Sequence, residues 1–413
     1  MSYRNFFVGC ICMFLLGSCS ALFGEKEDTT VSDVMEQGAI DPNLNPQSVG
    51  YVPITPFFTG FSNPVDIVVG YDELIYVVDD NGLNILDLKG TRSQIIPIPG
   101  ATDVVQDRRL HTYVCGRIDL PRGPGGSMVN LPAVYHLINT ASGNAQIIDT
   151  LIHPDCDESR QSTQLDPVND PLVRFTGLTA LHNNTLYVAR TGPKNDINSF
   201  IRPDNGVLVY DAQGINIGYS SGLNPVASSL KSSVGISSIS GLAGPPQKEQ
   251  GISTSKNFLI TLTDSTTTLE YRVLMITVYD DPDLGTQYTE TPSLLNFDYT
   301  KANRFMYESF RFKKPEDCFI SPDNLQYHFV VDSETDSLYI FTNLGYEGVN
   351  APATSASRKQ VIVSFGGAGL DGTGSGPFSF NDPSGVCYYK RMVYVADKKN
   401  NRICRFRLNT DLE

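Results

Sequence analysis

From residue 64 onward the apolar residues fall in short runs of four to seven, each bounded by Gly, Pro, Asn, Asp or Ser. Runs of that length, alternating or continuously apolar, have the period of β-strands and not of helices. They sort into six sets in register. First strands begin at 64–67, 101–104, 175–178, 239–242, 315–318 and 383–386. The third residue is always Asp or Gly (Asp66, Asp103, Gly177, Gly241, Asp317, Gly385), and an apolar residue follows. Second strands lie at 74–79, 111–116, 186–190, 258–264, 328–332 and 393–397. Third strands lie at 83–87, 133–138, 207–211, 273–279, 337–342 and 402–406. Fourth strands are placed at 94–98, 145–152, 215–219, 293–297 and 359–365. The sixth set has none, while an extended segment at 50–57 precedes the first set unassigned. The pattern predicts an all-β, six-bladed β-propeller of four-stranded blades, with the ring closed by that N-terminal strand.

The last set reads Pro383-Ser384-Gly385-Val386, then Tyr394-Val395-Ala396-Asp397, then Asn400-Asn401-Arg402-Ile403 and Phe406. This resembles the NHL repeat, and the other five sets resemble it more loosely. The resemblance covers about residues 48–413. It implies a ring of radially arranged sheets, a plan similar to that of sugar lactonases and quinoprotein dehydrogenases. Fold does not dictate function, so the site has to be argued separately.

Composition agrees with many strands joined by turns: 35 Gly, 25 Pro, 20 Tyr, 21 Phe and no Trp in 413 residues. The net charge of −14 argues against a nucleic-acid partner, because such proteins need a basic footprint. At the N-terminus Arg4 precedes the apolar run 6–16, which is short for a bilayer span and has the plan of a secretory signal. Leu16-Gly17-Ser18-Cys19 resembles the bacterial lipobox, which implies acylation of Cys19 and a membrane partner reached through lipid. Residues 20–47 carry six acidic residues against Lys26 alone and no sustained apolar period. The expected organisation is a signal peptide at 1–18, lipidated Cys19 with an acidic, disordered tether at 19–47, and the propeller at 48–413. Localisation follows as the cell envelope, at the outer membrane or cell surface.

In a propeller, the links from second to third strands and from fourth strands to the next blade emerge on one face. Most long insertions fall there, at 117–132, 153–174, 191–206, 220–238, 298–314 and 366–382, which makes it the expected working face. Arg117, Arg122, Arg190 and Lys194 in these loops are candidates for a basic patch that takes a carboxylate or an anionic glycan. Asp66, Asp103 and Asp317, at equivalent first-strand positions around the channel, are candidates for a divalent cation; turn chemistry is the competing reading. Asp79, Asp332 and Asp397, closing second strands, read as structural acceptors. The five histidines show no metal-ligand spacing, and no HExxH, P-loop or nucleophile elbow occurs. The acidic run 280–285 reads as a solvated turn. Of the five cysteines beyond Cys19, only Cys115 and Cys156 suggest a disulfide worth testing.

These features favour a membrane-anchored binding module for a ligand, protein or glycan over an enzyme, with no certain cofactor. The rivals are a metal-dependent propeller hydrolase or lyase of the lactonase kind, with its site at the channel mouth, and a structural envelope protein.

Overall fold

A computed structural model describes residues 42–44, 48–122, 124–156, 166, 168–194, 204–221, 235–242, 254–263, 269–291, 304–353 and 359–411. The signal segment, Cys19 and nearly all of the acidic tether lie outside the described residues, as does the fourth strand placed at 293–297.

Six antiparallel sheets form the blades in chain order. Blade 1 spans strands Asp66–Val69, Ile75–Asp79, Gly82–Leu86 and Arg92–Ile96. Blade 2 uses Asp103–Gln106, Thr112–Leu120, Val129–Ile138 and Gln146–Ile152. Blade 3 uses Arg174–Ala180, Leu186–Thr191, Gly206–Tyr210 and Asn216–Ser221. Blade 4 uses Ile236–Gly241, Phe258–Leu262, Val273–Asp281 and Gly285–Glu290. Blade 5 uses Pro315–Ile320, His328–Asp332, Ser337–Phe341 and the short Phe365–Gly366. Blade 6 uses Pro383–Tyr389, Met392–Asp397 and Arg402–Leu408.

The N-terminal segment closes the ring. Tyr51–Pro53 pairs antiparallel with the third strand of blade 6, Tyr51 opposite Leu408 and Pro53 opposite Phe406, and Phe58–Thr59 pairs with the same strand further along. The joint is also apolar: Tyr51, Val52, Ile54 and Phe58 are buried. Phe406 packs edge-on against Phe365 of blade 5 at 4.7 Å and lies 5.9 Å from Phe57.

Two strand assignments are corrected in blade 4. Its fourth strand is Gly285–Glu290, not 293–297, because the third strand runs on to Asp281 and turns at once. Asp281 Oδ1 accepts the backbone N–H groups of Asp283 (2.9 Å) and Leu284 (2.8 Å), and Gly285 takes φ 75°, a region open to glycine at little cost. The acidic run 280–285 is therefore a turn. The first strand begins three residues before the expected 239: Ser238 pairs with Thr261 as Asp317 pairs with Val331 and Gly385 with Ala396. Ser238, not Gly241, is the fourth blade's counterpart of the Asp/Gly position.

Candidate ligand site at the channel mouth

The first strands line the central channel, and their beginnings surround a cavity of about 240 Å³ on the insertion-rich face. In blades 3 to 6 each of these strands starts with a bulge. One residue (Thr176, Ser237, Glu316, Ser384) is left unpaired between two ladder positions. A bulge bends the strand and re-aims a side chain. The corresponding residues of blades 1 and 2, just before Asp66 and Asp103, are Val65 and Thr102. All six line the cavity.

Four of these side chains are hydroxyls, and each does the same thing. Thr102 Oγ1 donates to Phe175 O of blade 3 (3.0 Å), and Thr176 Oγ1 to Ile236 O of blade 4 (2.7 Å). Ser237 Oγ donates to Pro315 O of blade 5 (2.8 Å), and Ser384 Oγ to Pro64 O, just ahead of blade 1 (2.9 Å). Each hydroxyl clips its blade to the next one, and its single proton is used in doing so. What it can still offer the cavity is lone pairs.

The neighbouring ring position supplies the other clips. Asp66 Oδ2 accepts Val104 N–H of blade 2 (2.8 Å), Asp103 accepts Leu178 N–H of blade 3, and Asp317 Oδ2 accepts Val386 N–H of blade 6 (2.7 Å). Ser238 Oγ donates to Asp317 Oδ1. Gly177 and Gly385 leave no room for a side chain: a Cβ on Gly385 would sit 2.7 Å from Asp66 Cα. Every one of the six joints therefore has at least one polar clip.

The structure thus brings Asp66, Asp103 and Asp317 to one cavity, each already accepting a backbone N–H. Burial raises all three carboxyls, Asp66 to about 6 and the other two well above the usual carboxylate range. Mutual repulsion adds to this, with Asp103 facing both Asp66 and Asp317. Among the described residues, no group of three His, Cys, Asp or Glu side chains has the arrangement of a metal site. The wall is rich in acceptors. Positive side chains occur at its edge, Arg174 from blade 3 and Lys398 from blade 6, on opposite sides of a six-membered ring. Glu316 departs from the hydroxyl pattern, pairing with Lys314 and accepting from Ser333 Oγ (3.2 Å).

The four basic candidates lie elsewhere. Arg190 is 2% exposed and internal to the fold. Its Nε donates to Asp204 O (2.8 Å), Nη1 meets His153 Nε2 (2.9 Å), and its guanidinium lies 4.9 Å from the Tyr219 ring centroid. Just before the end of the second strand of blade 3, it holds the ladder position that Asp332 and Asp397 hold in blades 5 and 6, and blade 1 carries Asp79 at the end of its second strand. Those aspartates accept backbone N–H groups, such as Ser62 (2.9 Å), Lys313 (2.7 Å) and Asn381 (2.8 Å), as expected of structural acceptors. Lys194 bridges Asp166 (3.0 Å) and Asp170 (3.2 Å). Arg117, within the second strand of blade 2, donates to Val173 O (3.1 Å) and Pro171 O (2.6 Å), tying that strand to the segment that leads into blade 3. Arg122 is half-buried, with its backbone N–H on Leu120 O. None of the four lines the cavity.

Sequence reasoning passed over Arg174, Lys398 and the four hydroxyls. A signal for the hydroxyls did exist: Thr102, Thr176 and Ser384 hold the second place of their first strands, and Ser237 does so once the register is corrected. The five cysteines 115, 156, 318, 387 and 404 are buried and none is in a disulfide, so Cys115 and Cys156 are not joined. Cys156 instead contacts Asp170 Oδ2 at 3.4 Å.

No protein-family model matches the sequence, and no curated protein matches it. Solved structures do resemble the fold. An auxiliary nutrient binding protein from Bacteroides thetaiotaomicron is 11% identical over 90% of this chain and 75% of that one, with a TM-score of 0.48. A gluconolactonase from Xanthomonas campestris is 6% identical, covering 90% and 93%, with a TM-score of 0.47. A streptogramin B lyase is 12% identical, covering 87% and 98%, with a TM-score of 0.44. Likeness at this level carries nothing about activity.

Proposed function

We propose that this chain is an envelope lipoprotein, anchored through Cys19, whose NHL-like propeller binds a small polar ligand at the channel mouth. One observation carries the reading: a cavity walled by acceptors, because the hydroxyl protons are spent on the inter-blade clips. Such a wall suits a ligand that brings its own donors, a hydroxylated or amino-bearing molecule. Arg174 and Lys398, on opposite sides of the ring, would each receive an acceptor group of the ligand. Pockets of this kind fix orientation with a few placed polar groups.

A second reading, a metal-dependent hydrolase or lyase, has one observation in its favour: three mutually repelling carboxyls share the cavity. A cation there would relieve the repulsion.

The test is calorimetric titration of the purified protein with neutral sugars, sugar acids and small amines. Saturable binding, weakened at least about tenfold by Arg174→Ala with Lys398→Ala, is the expected result. Incorporation of labelled palmitate, lost in Cys19→Ala, checks the anchor. Absence of any binding, or binding indifferent to both rim substitutions, would sink the proposal. A calcium-dependent rise in melting temperature that Asp103→Asn removes would favour the metal-dependent reading instead.

A further inference from the structure

His111 and His136 are 25 residues apart, a spacing that carries no metal-ligand signature. The second and third strands of blade 2 bring them together. Tyr113 stands directly opposite His136 in that ladder, so His111, two residues before Tyr113, is the diagonal neighbour on the same side of the sheet. His111 Nδ1 and His136 Nε2 face each other at 2.8 Å. His136 is 8% exposed, and its ring stacks on Tyr113 at 4.4 Å between centroids.

The turn that presents His111 is held firmly. Buried Asp107 accepts the backbone N–H groups of Arg109 (2.8 Å) and His111 (3.0 Å) on Oδ1, and the Arg109 guanidinium on Oδ2. Asp107 N–H in turn donates to His111 O (2.8 Å). Arg109 also reaches Ala212 O of blade 3 (2.6 Å), pinning the turn across the blade joint. The pair lies at the link between first and second strands, on the face opposite the channel mouth, and takes no part in the proposed ligand site.

We propose that His111 and His136 form a two-imidazole site for a divalent copper-like ion, coordinated through His111 Nδ1 and His136 Nε2. Two nitrogens at about 2.05 Å from one metal stand about 2.9 Å apart when they are cis at a right angle, and about 3.3 Å apart in a tetrahedron. The 2.8 Å separation in the metal-free pair is that of an N–H···N hydrogen bond and lies near either value; it is ligand preference that favours copper. Imidazole is a ligand that copper favours, and copper heads the divalent affinity order. In the metal-free pair a single proton lies between the facing nitrogens. On binding it moves to the far nitrogen of its own ring, so both facing lone pairs reach the metal and no net proton is released. Burial, which opposes the charged form, lowers both imidazoles, His136 to about 4, and Arg109 acts the same way. Asp107 and Asp149, the latter paired with His136 across the outer strand, oppose that lowering and supply negative charge beside the metal. Water would complete the coordination.

The experiment is titration of the full-length, tag-free protein with Cu2+, read by calorimetry and by electron paramagnetic resonance, with Ni2+ as a redox-inert check on the thiols. One equivalent should bind, with coupling to two nitrogens in the spectrum. His111→Ala and His136→Ala should each weaken binding at least about tenfold, while His182→Ala leaves it unchanged. His111 is half-buried on a turn, so its variant tests the site even if the buried His136 variant fails to fold. Tighter binding of Zn2+ than Cu2+, a spectrum with no nitrogen coupling, or wild-type affinity in His111→Ala would overturn the proposal.

Discussion

Blades 4 and 6 solve the same problem at their forward joints in two ways. Each uses a bulged serine to reach the next blade's carbonyl, Ser237 to Pro315 and Ser384 to Pro64. At the following position they part. Blade 4 places Ser238, whose hydroxyl donates to Asp317, and blade 6 places Gly385, against which the Asp66 backbone packs too closely for a Cβ. Blade 6 then takes its outer strand from the other end of the chain, while blade 4 is built from four consecutive strands. Equivalent ring positions thus share a hydrogen-bonding duty and differ in how they fill space. A repeat tolerates wide sequence drift as long as each joint keeps a donor or acceptor facing its neighbour.

The comparison breaks most visibly if blade 6 loses its borrowed strands. Deleting residues 48–58 removes buried Tyr51, Val52, Ile54 and Phe58, each worth about 1.5–3 kcal/mol of burial, and uncovers Phe406. We expect a loss in denaturant unfolding larger than that of any single substitution below, because the edge of blade 6 and Phe406 are exposed together. Unchanged stability would mean that blade 6 stands on three strands.

A middle-sized effect concerns Asp66, which meets Gly385 at the ring-closing joint. Its folded-state value of about 6 lies above the unfolded 3.8, so its contribution is fully present below about pH 4 and is lost as pH rises through 6. The difference corresponds to about 3 kcal/mol. Asp66→Asn keeps an acceptor for Val104 N–H and cannot ionise. The variant should therefore lose less stability than the parent between pH 4 and 7, and be the more stable at pH 7. Parallel stability curves for the two proteins would contradict the assignment.

The smallest effect separates the two serines. Ser237→Ala and Ser384→Ala should each cost about 1 kcal/mol, the net worth of one hydrogen bond. Ser237 should cost slightly more. Its proton goes to Pro315 O, so Thr261 Oγ1 (2.8 Å away) is the donor of their shared bond and loses its acceptor. Side-by-side urea melts would detect the gap, and a larger loss at Ser384 would reverse the argument.

How much of this was legible in the sequence varies by blade. In blade 6 the turn residues and strand alternation agree, and the pattern predicts its three strands to within three residues at every boundary. In blade 4 the local pattern points to Gly241 as the ring position, because it looks like the glycines of other blades. The ladder decides otherwise, since pairing with Thr261 selects Ser238. The rim aspartates were readable as a set. Arg190 was misleading because a lone arginine looks solvated until His153, Asp204 and Tyr219, distant in sequence, are seen to enclose it.

By itself the sequence determined the strand period, the number of blades and the spare N-terminal segment that closes the ring. These follow from local patterning, in which apolar alternation and turn residues act over a few positions. Tertiary structure alone decided which polar groups meet: the hydroxyl clips from blade to blade, the shared cavity of Asp66, Asp103 and Asp317, and the facing nitrogens of His111 and His136. Those contacts join residues on separate strands and blades, and ladder register with ring closure, not spacing along the chain, sets their distances.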